Sequence, residues 1–365
     1  MKKAICFYFA KIMNEITLRQ DYKKLTRKKV IFLISLLILL VFFMVLSLCV
    51  GSSNLSFGDS FLAIFGQGDP TNVTILYNIR MPRMLAGLLS GFGLAISGYV
   101  MQNLLKNPMA SPSTLGVSNG AVFGANLAII AFNAGHISSS QGTEITISNP
   151  YLTTFCALIF SLLSIFFIML LSSRSKFSSE TVVLSGVAIG SLFTAMTTIL
   201  QFFATDTQLS SAVFWQFGDL GYVTYTENLI MFIVIIASFI YLFLNRWNHN
   251  ALLNGDDVAK SLGVKVSLTK ILGLVLASLI CAVCVSFIGI IGFIGLVAPH
   301  IVKRVIGNDY KFTLPCTALC GASLILFADT LSKLFINGIS FPVGAITSLF
   351  GAPLFLYLLL KKKEN

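Results

Sequence analysis

Charged residues are scarce in this chain, and their scarcity excludes most soluble folds. Of its 365 residues only 11% are Asp, Glu, Lys or Arg, whereas 56% are hydrophobic. That balance is typical of a polytopic membrane protein. The formal net charge is +11, but the basic residues form short clusters between apolar runs. A nucleic-acid surface would instead need a basic stripe on a soluble domain, so we expect no nucleic-acid partner.

Metal ligands are also few. The three histidines, His136, His249 and His300, lie far apart in the sequence. The seven cysteines fall mostly within or beside apolar segments, where a free thiol packs as a small hydrophobic group. Cys281 and Cys284 have metal or redox spacing, but no second ligand pair and no polar shell accompany them. We therefore expect buried packing there, with neither a metal site nor a disulfide framework.

Catalytic motifs are missing as well. The sequence contains no H-E-x-x-H, no pair of intramembrane aspartates and no Walker motif. An intramembrane hydrolase is therefore disfavoured, and any ATP must be hydrolysed on another chain. Within the predicted spans the only carboxylate is Asp329, and Glu180 lies at the inner start of the fifth span. Because ion-coupled carriers usually place carboxylates or histidines at mid-membrane depth, a secondary carrier is a remote second hypothesis.

Long apolar runs are what the sequence has in abundance. About 20 apolar residues suffice to cross a bilayer as a helix. This length predicts ten spans in an all-α polytopic fold, at residues 30–50, 84–102, 113–133, 151–172, 181–203, 228–245, 268–288, 290–306, 312–331 and 341–360.

The distribution of basic residues predicts the orientation. With both termini in the cytoplasm, 22 Lys and Arg residues lie inside and three lie outside, namely Arg80, Arg83 and Lys333. Such an asymmetry follows the positive-inside rule. Residues 1–29 are then a basic cytoplasmic extension, and residues 30–365 form one ten-span domain.

The connecting segments differ in kind. We expect residues 134–150 to be a plain connector and residues 204–226 to contain a short interfacial helix. The inner run DDVAKSLG predicts one or two helical turns that end at Gly263. Residues 102–120 contain two prolines and two glycines, which predicts broken backbone that forms either a re-entry turn or a cytoplasmic gate.

Two membrane segments have unusual small or helix-breaking residues. In the fifth span, small residues can serve helix packing or line a path: Ser185, Gly186, Gly190 and Thr194. In GFIGLVAPHIVKRVIG, residues 292–307, Pro299 removes a hydrogen bond and frees the carbonyl of Gly295, which predicts a short helix. We expect His300 to have a structural role.

Four stretches together resemble the iron-siderophore and vitamin B12 class of ABC importer permeases. They are RMPRMLAGLLSGFGLAISGYVMQNLLKNPMASPSTLGVSNGA, GDDVAKSLGV, GFIGLVAPHIVKRVIG, and ADTLSK followed by PVGAITSLFGAPLFLYLL. The resemblance covers nearly the whole chain after residue 30. It implies a type II ABC importer permease in the bacterial cytoplasmic membrane. It also implies a second permease subunit, identical or homologous, two cytoplasmic ATPases that bind ATP-Mg, and an external binding protein.

The resemblance implies roles for particular residues and a range of cargoes. Arg80, Arg83 and Lys333 match positions that grip acidic residues of the binding protein, although Lys333 could instead pair with Asp329 one helical turn away. The ATPase coupling positions are Asp256, Asp257, Ala259, Leu262 and Gly263. The inner gate positions are Asn107, Met109, Ser178 and Ser179. The implied cargo is an iron chelate, with haem and cobalamin as alternatives, and no cofactor is expected on this chain.

Overall fold

A computed structural model describes residues 2–51, 57–138, 144–147, 149–174, 177–334 and 341–360. Within these ranges the regular secondary structure is helical apart from one antiparallel hairpin, β1 (Gly135–Ser138) and β2 (Glu144–Ile147), in which Gly135 pairs with Ile147. The helices are α1 (Lys2–Cys49), α2 (Phe57–Ile64), α3 (Pro70–Ile75), α4 (Met81–Leu104), α5 (Val117–Asn126), α6 (Pro150–Ser173), α7 (Ser179–Phe202), α8 (Asp206–Gln216), α9 (Tyr225–Leu244), α10 (Arg246–Leu253), α11 (Asp256–Ser261), α12 (Val266–Ile288), α13 (Ile294–Ile306), α14 (Tyr310–Leu334) and α15 (Val343–Leu360).

The all-α polytopic fold predicted from the sequence is confirmed. In the described part of the chain, seven helices are long and apolar enough to cross a membrane, and the shorter α5, α13 and α15 coincide with the other three predicted spans. A π-helical turn, Leu76–Arg80, joins α3 to α4, and another, Leu127–Ala131, extends α5. Ten crossings place both termini on the same side of the membrane, and the distribution of Lys and Arg predicts that this side is the cytoplasm. Helix α1 continues without a break through residue 29, where the predicted basic extension ends.

Helix α4 lies at the centre of the bundle, because its small residues allow close contact with three neighbours. It packs against α12, α13 and α14, and most of its side chains are buried. A Cβ added at Gly98 would lie 1.9 Å from the carbonyl oxygen of Gly295 on α13. One added at Gly91 would lie 2.5 Å from the carbonyl oxygen of Gly321 on α14. Backbone therefore touches backbone at these crossings, as small residues permit in membrane helices.

Helix α13 confirms the expectation of a short helix around Pro299. It begins at Ile294, because Phe293 has a left-handed φ of 66° and Gly289 a φ of 73°. The amide of Gln102 on α4 donates to the carbonyl oxygen of Gly295 at 3.2 Å. That carbonyl is the one that Pro299 deprives of its helical partner, so α4 supplies the missing donor.

The connecting segments correct two predictions and confirm two. The second span begins well before residue 84, so that Arg80 and Arg83 lie within helical turns and not in a loop. The segment predicted as a plain connector forms the β1–β2 hairpin. Helix α8 is the expected short outer helix, and α11 ends just before Gly263, whose φ is 82°.

Candidate functional site

One buried carboxylate binds two of the three predicted outer cations. Asp329 on α14 is fully buried; it accepts from Nε of Arg83 at 2.8 Å and pairs with Nζ of Lys333 at 2.6 Å. The hydroxyl of Ser47 on α1 donates to the same carboxylate at 3.2 Å. Arg83 also reaches Asp219 at 3.4 Å. This cluster ties α1, α4 and α14 together at the outer end of the bundle.

The third outer cation is buried separately. Nη1 of Arg80 donates to the carbonyl oxygens of Leu48 and Cys49, at 2.8 and 3.1 Å, and to the hydroxyl of Ser60 at 3.1 Å. It thereby binds carbonyls that the end of α1 leaves without helical partners. The structure thus places the three cations among internal partners, and the alternative of a Lys333–Asp329 pair is present. Their role in docking a binding protein stays a prediction.

A recess of about 480 Å³ lies between α5, α7 and the segment before α5. Its wall is made of small and neutral side chains: Ser113, Thr114, Gly116, Asn119, Gly186, Val187, Gly190, Ser191, Thr194 and Ala195. Three of the four predicted path residues line it, and the buried Ser185 does not. The amide of Asn119 donates to the hydroxyl of Thr194 at 2.8 Å and so orients polar groups along the wall.

The segment between α4 and α5, residues 105–116, is a series of tight turns, as its prolines predict. We call it the inner loop. Lys106 has a left-handed φ of 49°, and the side chain of Asn107 accepts from the backbone N–H of Met109 at 2.9 Å. The loop ends at Gly116, whose φ is 73° and where a Cβ would lie 2.8 Å from the carbonyl oxygen of Gly186. The inner loop therefore runs directly into the wall of the recess.

The other two predicted gate residues lie at the start of α7. The hydroxyl of Ser178 caps the helix by accepting from the backbone N–H of Thr181, and Ser179 is the first helical residue. Among the described residues, no hydrogen bond joins this pair to Asn107 or Met109. Asn107 and Met109 belong to the inner loop, and Ser178 and Ser179 stand at the start of α7; both elements line the recess. A gating role for these four residues stays a prediction.

The predicted coupling residues divide between two faces of α11. The side chain of Asp257 is 98% exposed, and Leu262 is 67% exposed. Ala259 is fully buried against the bundle. The exposed side chains of Asp257 and Leu262 form, with Val258, a cytoplasmic surface that another protein can contact. Their role in binding an ATPase stays a prediction.

Asp256 faces inward and binds two lysines. Its Oδ1 lies 3.0 Å from Nζ of Lys106, and its Oδ2 lies 2.6 Å from Nζ of Lys270 on α12. Partial burial acts to raise the pKa of this carboxyl, but the hydrogen bonds and charges of the two lysines outweigh it and lower the pKa. Asp256 is therefore ionised at neutral pH, and it joins α11 to the inner loop.

A stack of three rings connects α10 to the bundle. The imidazole of His249 lies parallel to the ring of Tyr310, with centroids 4.7 Å apart, and Tyr310 packs on Tyr99 of α4 at 5.2 Å. Burial lowers the pKa of His249 to about 4, so that the ring is neutral at physiological pH. Helix α10 is thus tied to α4 through the ring stack, and α11 is tied to the inner loop through the pair of Asp256 and Lys106.

Sequence reasoning missed three residues that shape these sites. Lys106 and Lys270 counted only as cations on the inner side, and Asn119 was not singled out. A signal existed for Lys106, since it immediately precedes Asn107 in the proline-containing loop. None existed for Lys270, because its distance to Asp256 follows from how α11 folds back onto α12.

Three comparisons with known proteins agree on one relationship. The profile of the FecCD transport family matches residues 39–361. The chain is 47% identical to a Methanocaldococcus jannaschii protein named "Putative ABC transporter permease protein", over 94% of this chain and 97% of that protein. It is 35% identical to the "Vitamin B12 import system permease protein BtuC" of Citrobacter koseri, over 93% and 96%. A solved structure, "An inward-facing conformation of a putative metal-chelate type ABC transporter", covers 91% of this chain and 99% of its own, with a TM-score of 0.76 and 29% identity.

Proposed function

The chain belongs to the FecCD transport family, and on that basis we propose that it is the permease through which a ferric siderophore crosses the cytoplasmic membrane. It is a transport subunit and not an enzyme, since family members work with an ATPase on a separate chain. The coarser class, a permease of an ABC importer for metal chelates or vitamin B12, follows from the family itself.

The observation that supports a chelate as cargo, and not a bare metal ion, is the chemistry of the recess. Its wall has hydroxyls, an amide and glycine backbone, and it has no charged side chain. A bare ferric ion would need carboxylate or imidazole ligands, whereas a chelate carries its own ligands and presents a polar exterior. A wall of small neutral groups suits the passage of such a bulky polar complex, because no group binds it tightly.

The partners follow from the exposed faces. Helix α7 exposes Leu184, Val187 and Leu192, of which Val187 lines the recess, and the recess is open. A second permease subunit, identical or homologous, would close it into a path. On each of the two permease subunits, one ATPase would bind the surface of Asp257, Val258 and Leu262 and would hydrolyse ATP-Mg in its own site. A binding protein would deliver cargo at the outer end of the bundle, near Arg83.

Cobalamin is the second candidate cargo, because one relative is named for vitamin B12 import. The test is uptake by vesicles that contain the permease, its ATPase and its binding protein. We expect a ferric trihydroxamate chelate, labelled with radioactive iron, to accumulate only when ATP is present. Excess cobalamin or haem should not compete. If cobalamin competes, the proposed cargo is wrong and cobalamin takes its place. Uptake that survives the removal of ATP but collapses with the proton gradient would indicate a secondary carrier.

The recess itself is tested by one isosteric change. Thr194→Val keeps the shape of the side chain and removes the hydroxyl that accepts from Asn119. A lost hydrogen bond of about 1 kcal/mol predicts a fall in uptake of roughly fivefold, with assembly unchanged. The matched control is Thr198→Val on the same helix, since the Thr198 hydroxyl is exposed and donates only to a carbonyl of α7. Equal uptake by both variants would contradict the proposed role of the Thr194 hydroxyl in the path.

A further inference from the structure

The inward-facing carboxylate of α11 is held by two lysines from different parts of the chain. Lys106 follows α4 and begins the inner loop, and Lys270 lies in the first turns of α12. Asp257, the next residue, pairs only with Lys260 of its own helix. Adjacent aspartates therefore have different tasks: one points to the cytoplasm and the other reaches the bundle.

The two ion pairs of Asp256 differ in burial. The Lys270 side chain is 8% exposed, so that breaking its pair would leave a buried charge without a partner. The Lys106 side chain is 44% exposed, and ion pairs at exposed positions are weak. Asp256 is therefore fixed to α12 through Lys270, while its bond to Lys106 can break and re-form at small cost.

The inner loop provides a short route from Lys106 to the recess. Turns at Lys106, Asn107 and Met109 give the loop a defined shape, and the loop ends where Gly116 contacts Gly186 and Gly190 of α7. Glycine at these positions lets backbone touch backbone. A displacement of the loop at Lys106 must therefore move the wall of the recess or separate the loop from α7.

We propose that the Asp256–Lys106 ion pair transmits movement of α11 to the inner loop and so links the ATPase surface to the recess. Both residues act as positioning residues, since neither touches cargo or nucleotide in this assignment. The proposal rests on the proposed function and extends it. It separates Asp256, which couples inside the permease, from Asp257 and Leu262, which face the partner.

The test measures cargo moved per ATP hydrolysed in the reconstituted importer, with a ferric trihydroxamate chelate as the probe. Lys106→Gln should lower this ratio about threefold, as expected for loss of a weak ion pair. Asp256→Asn should lower it at least as much, because it also takes the carboxylate from the buried Lys270. The double variant should fall no further than Asp256→Asn alone, and Lys106→Arg should keep the wild-type ratio. Co-purification of the ATPase with the permease should be unchanged in every variant.

The matched control is Lys29→Gln. It breaks another lysine–aspartate pair at the inner end of the bundle, with Asp309 at 2.9 Å, and should leave the ratio at the wild-type value. If Asp256→Asn releases the ATPase while Lys106→Gln does not, Asp256 is a docking residue and the proposed link is wrong. Wild-type ratios in both single variants also overturn it. If wild-type vesicles show no ATP-dependent uptake of any probe, the proposed function fails and the link falls with it.

Discussion

In the outer cluster of Asp329, Arg83 and Lys333, removal of the carboxylate should cost more stability than removal of the Lys333 charge. Asp329→Asn preserves the shape of the side chain and removes the one carboxylate that both Arg83 and Lys333 bind. Arg83 would keep Asp219 at 3.4 Å, and Lys333 would keep the carbonyl and hydroxyl oxygens of Ser47 at 3.3 and 3.2 Å, all weaker partners than the carboxylate. Because both remain charged in a site shielded from water, the folded state should lose stability.

The magnitude follows from burial. Asp329 is 0% exposed and the Lys333 side chain 5%, and removal of one partner from a buried pair costs about 3–5 kcal/mol. The remaining weak partners place the expected loss near the lower limit, about 3 kcal/mol. Lys333→Met is expected to cost less, under about 2 kcal/mol, because Asp329 keeps its hydrogen bonds from Arg83 and Ser47.

The assay is thermal unfolding of the purified permease in detergent. Asp329→Asn should lower the melting temperature by roughly 5 °C, and the double variant with Lys333→Met should recover part of that loss. Asp257→Asn, at a 98% exposed side chain, is the stability control and should leave the melting temperature unchanged. An Asp329→Asn protein as stable as wild type, or one more stable than Lys333→Met, would refute the account of the cluster.

Two further predictions concern the inner stack and the central crossing. The pKa of His249 is about 4 when folded and about 6.5 when unfolded. The unfolded state therefore binds more protons between these values, so stability present above pH 6.5 should fall by about 2 kcal/mol from pH 7 to pH 5. His249→Phe keeps the stack and should remove this dependence, which melting curves across that pH range would reveal; an unchanged slope would contradict it. Gly98→Ala should destabilise the protein by about 1–3 kcal/mol, because the new Cβ meets the backbone of Gly295. Gly292→Ala, whose Cβ would meet only the hydroxyl of Ser348, is the comparison, and equal melting temperatures would be inconsistent with the close crossing.

The sequence predicted the number and order of the spans because the bilayer imposes a strong physical requirement. A helix that crosses hydrocarbon needs about 20 apolar residues, and such runs are visible without any tertiary information. The sequence placed the starts of two spans wrongly, because a helix can begin before its apolar run or after it. Arg80 and Arg83 interrupt the apolar run before α4, yet the helix continues through them because buried partners satisfy their charge. At α13 the apolar run begins at Ile290, but left-handed residues delay the helix to Ile294.

At the sites, too, the sequence identified the segments involved, but only the fold decided how their side chains are oriented. The coupling stretch DDVAKSLG was found from its sequence, but the opposite orientations of Asp256 and Asp257 were not. An α-helix turns by about 100° per residue, so adjacent residues must differ in orientation, and only the position of α12 decides which one meets Lys270. Small residues of the fifth span predicted either packing or a path; the fold gives Gly186, Gly190 and Thr194 to the recess and buries Ser185 elsewhere.

The sequence alone determined the membrane class and the ten crossings and predicted the orientation of this protein, because the length of an apolar run and the side preference of Lys and Arg depend on the chain and the bilayer and not on tertiary contacts. The tertiary structure decided which charges are paired. Asp329 meets Arg83 across 246 residues, and Lys106 meets Asp256 across 150. Such pairs form only when helices pack, since the free energy of burying a charge depends on partners that no local stretch of sequence contains.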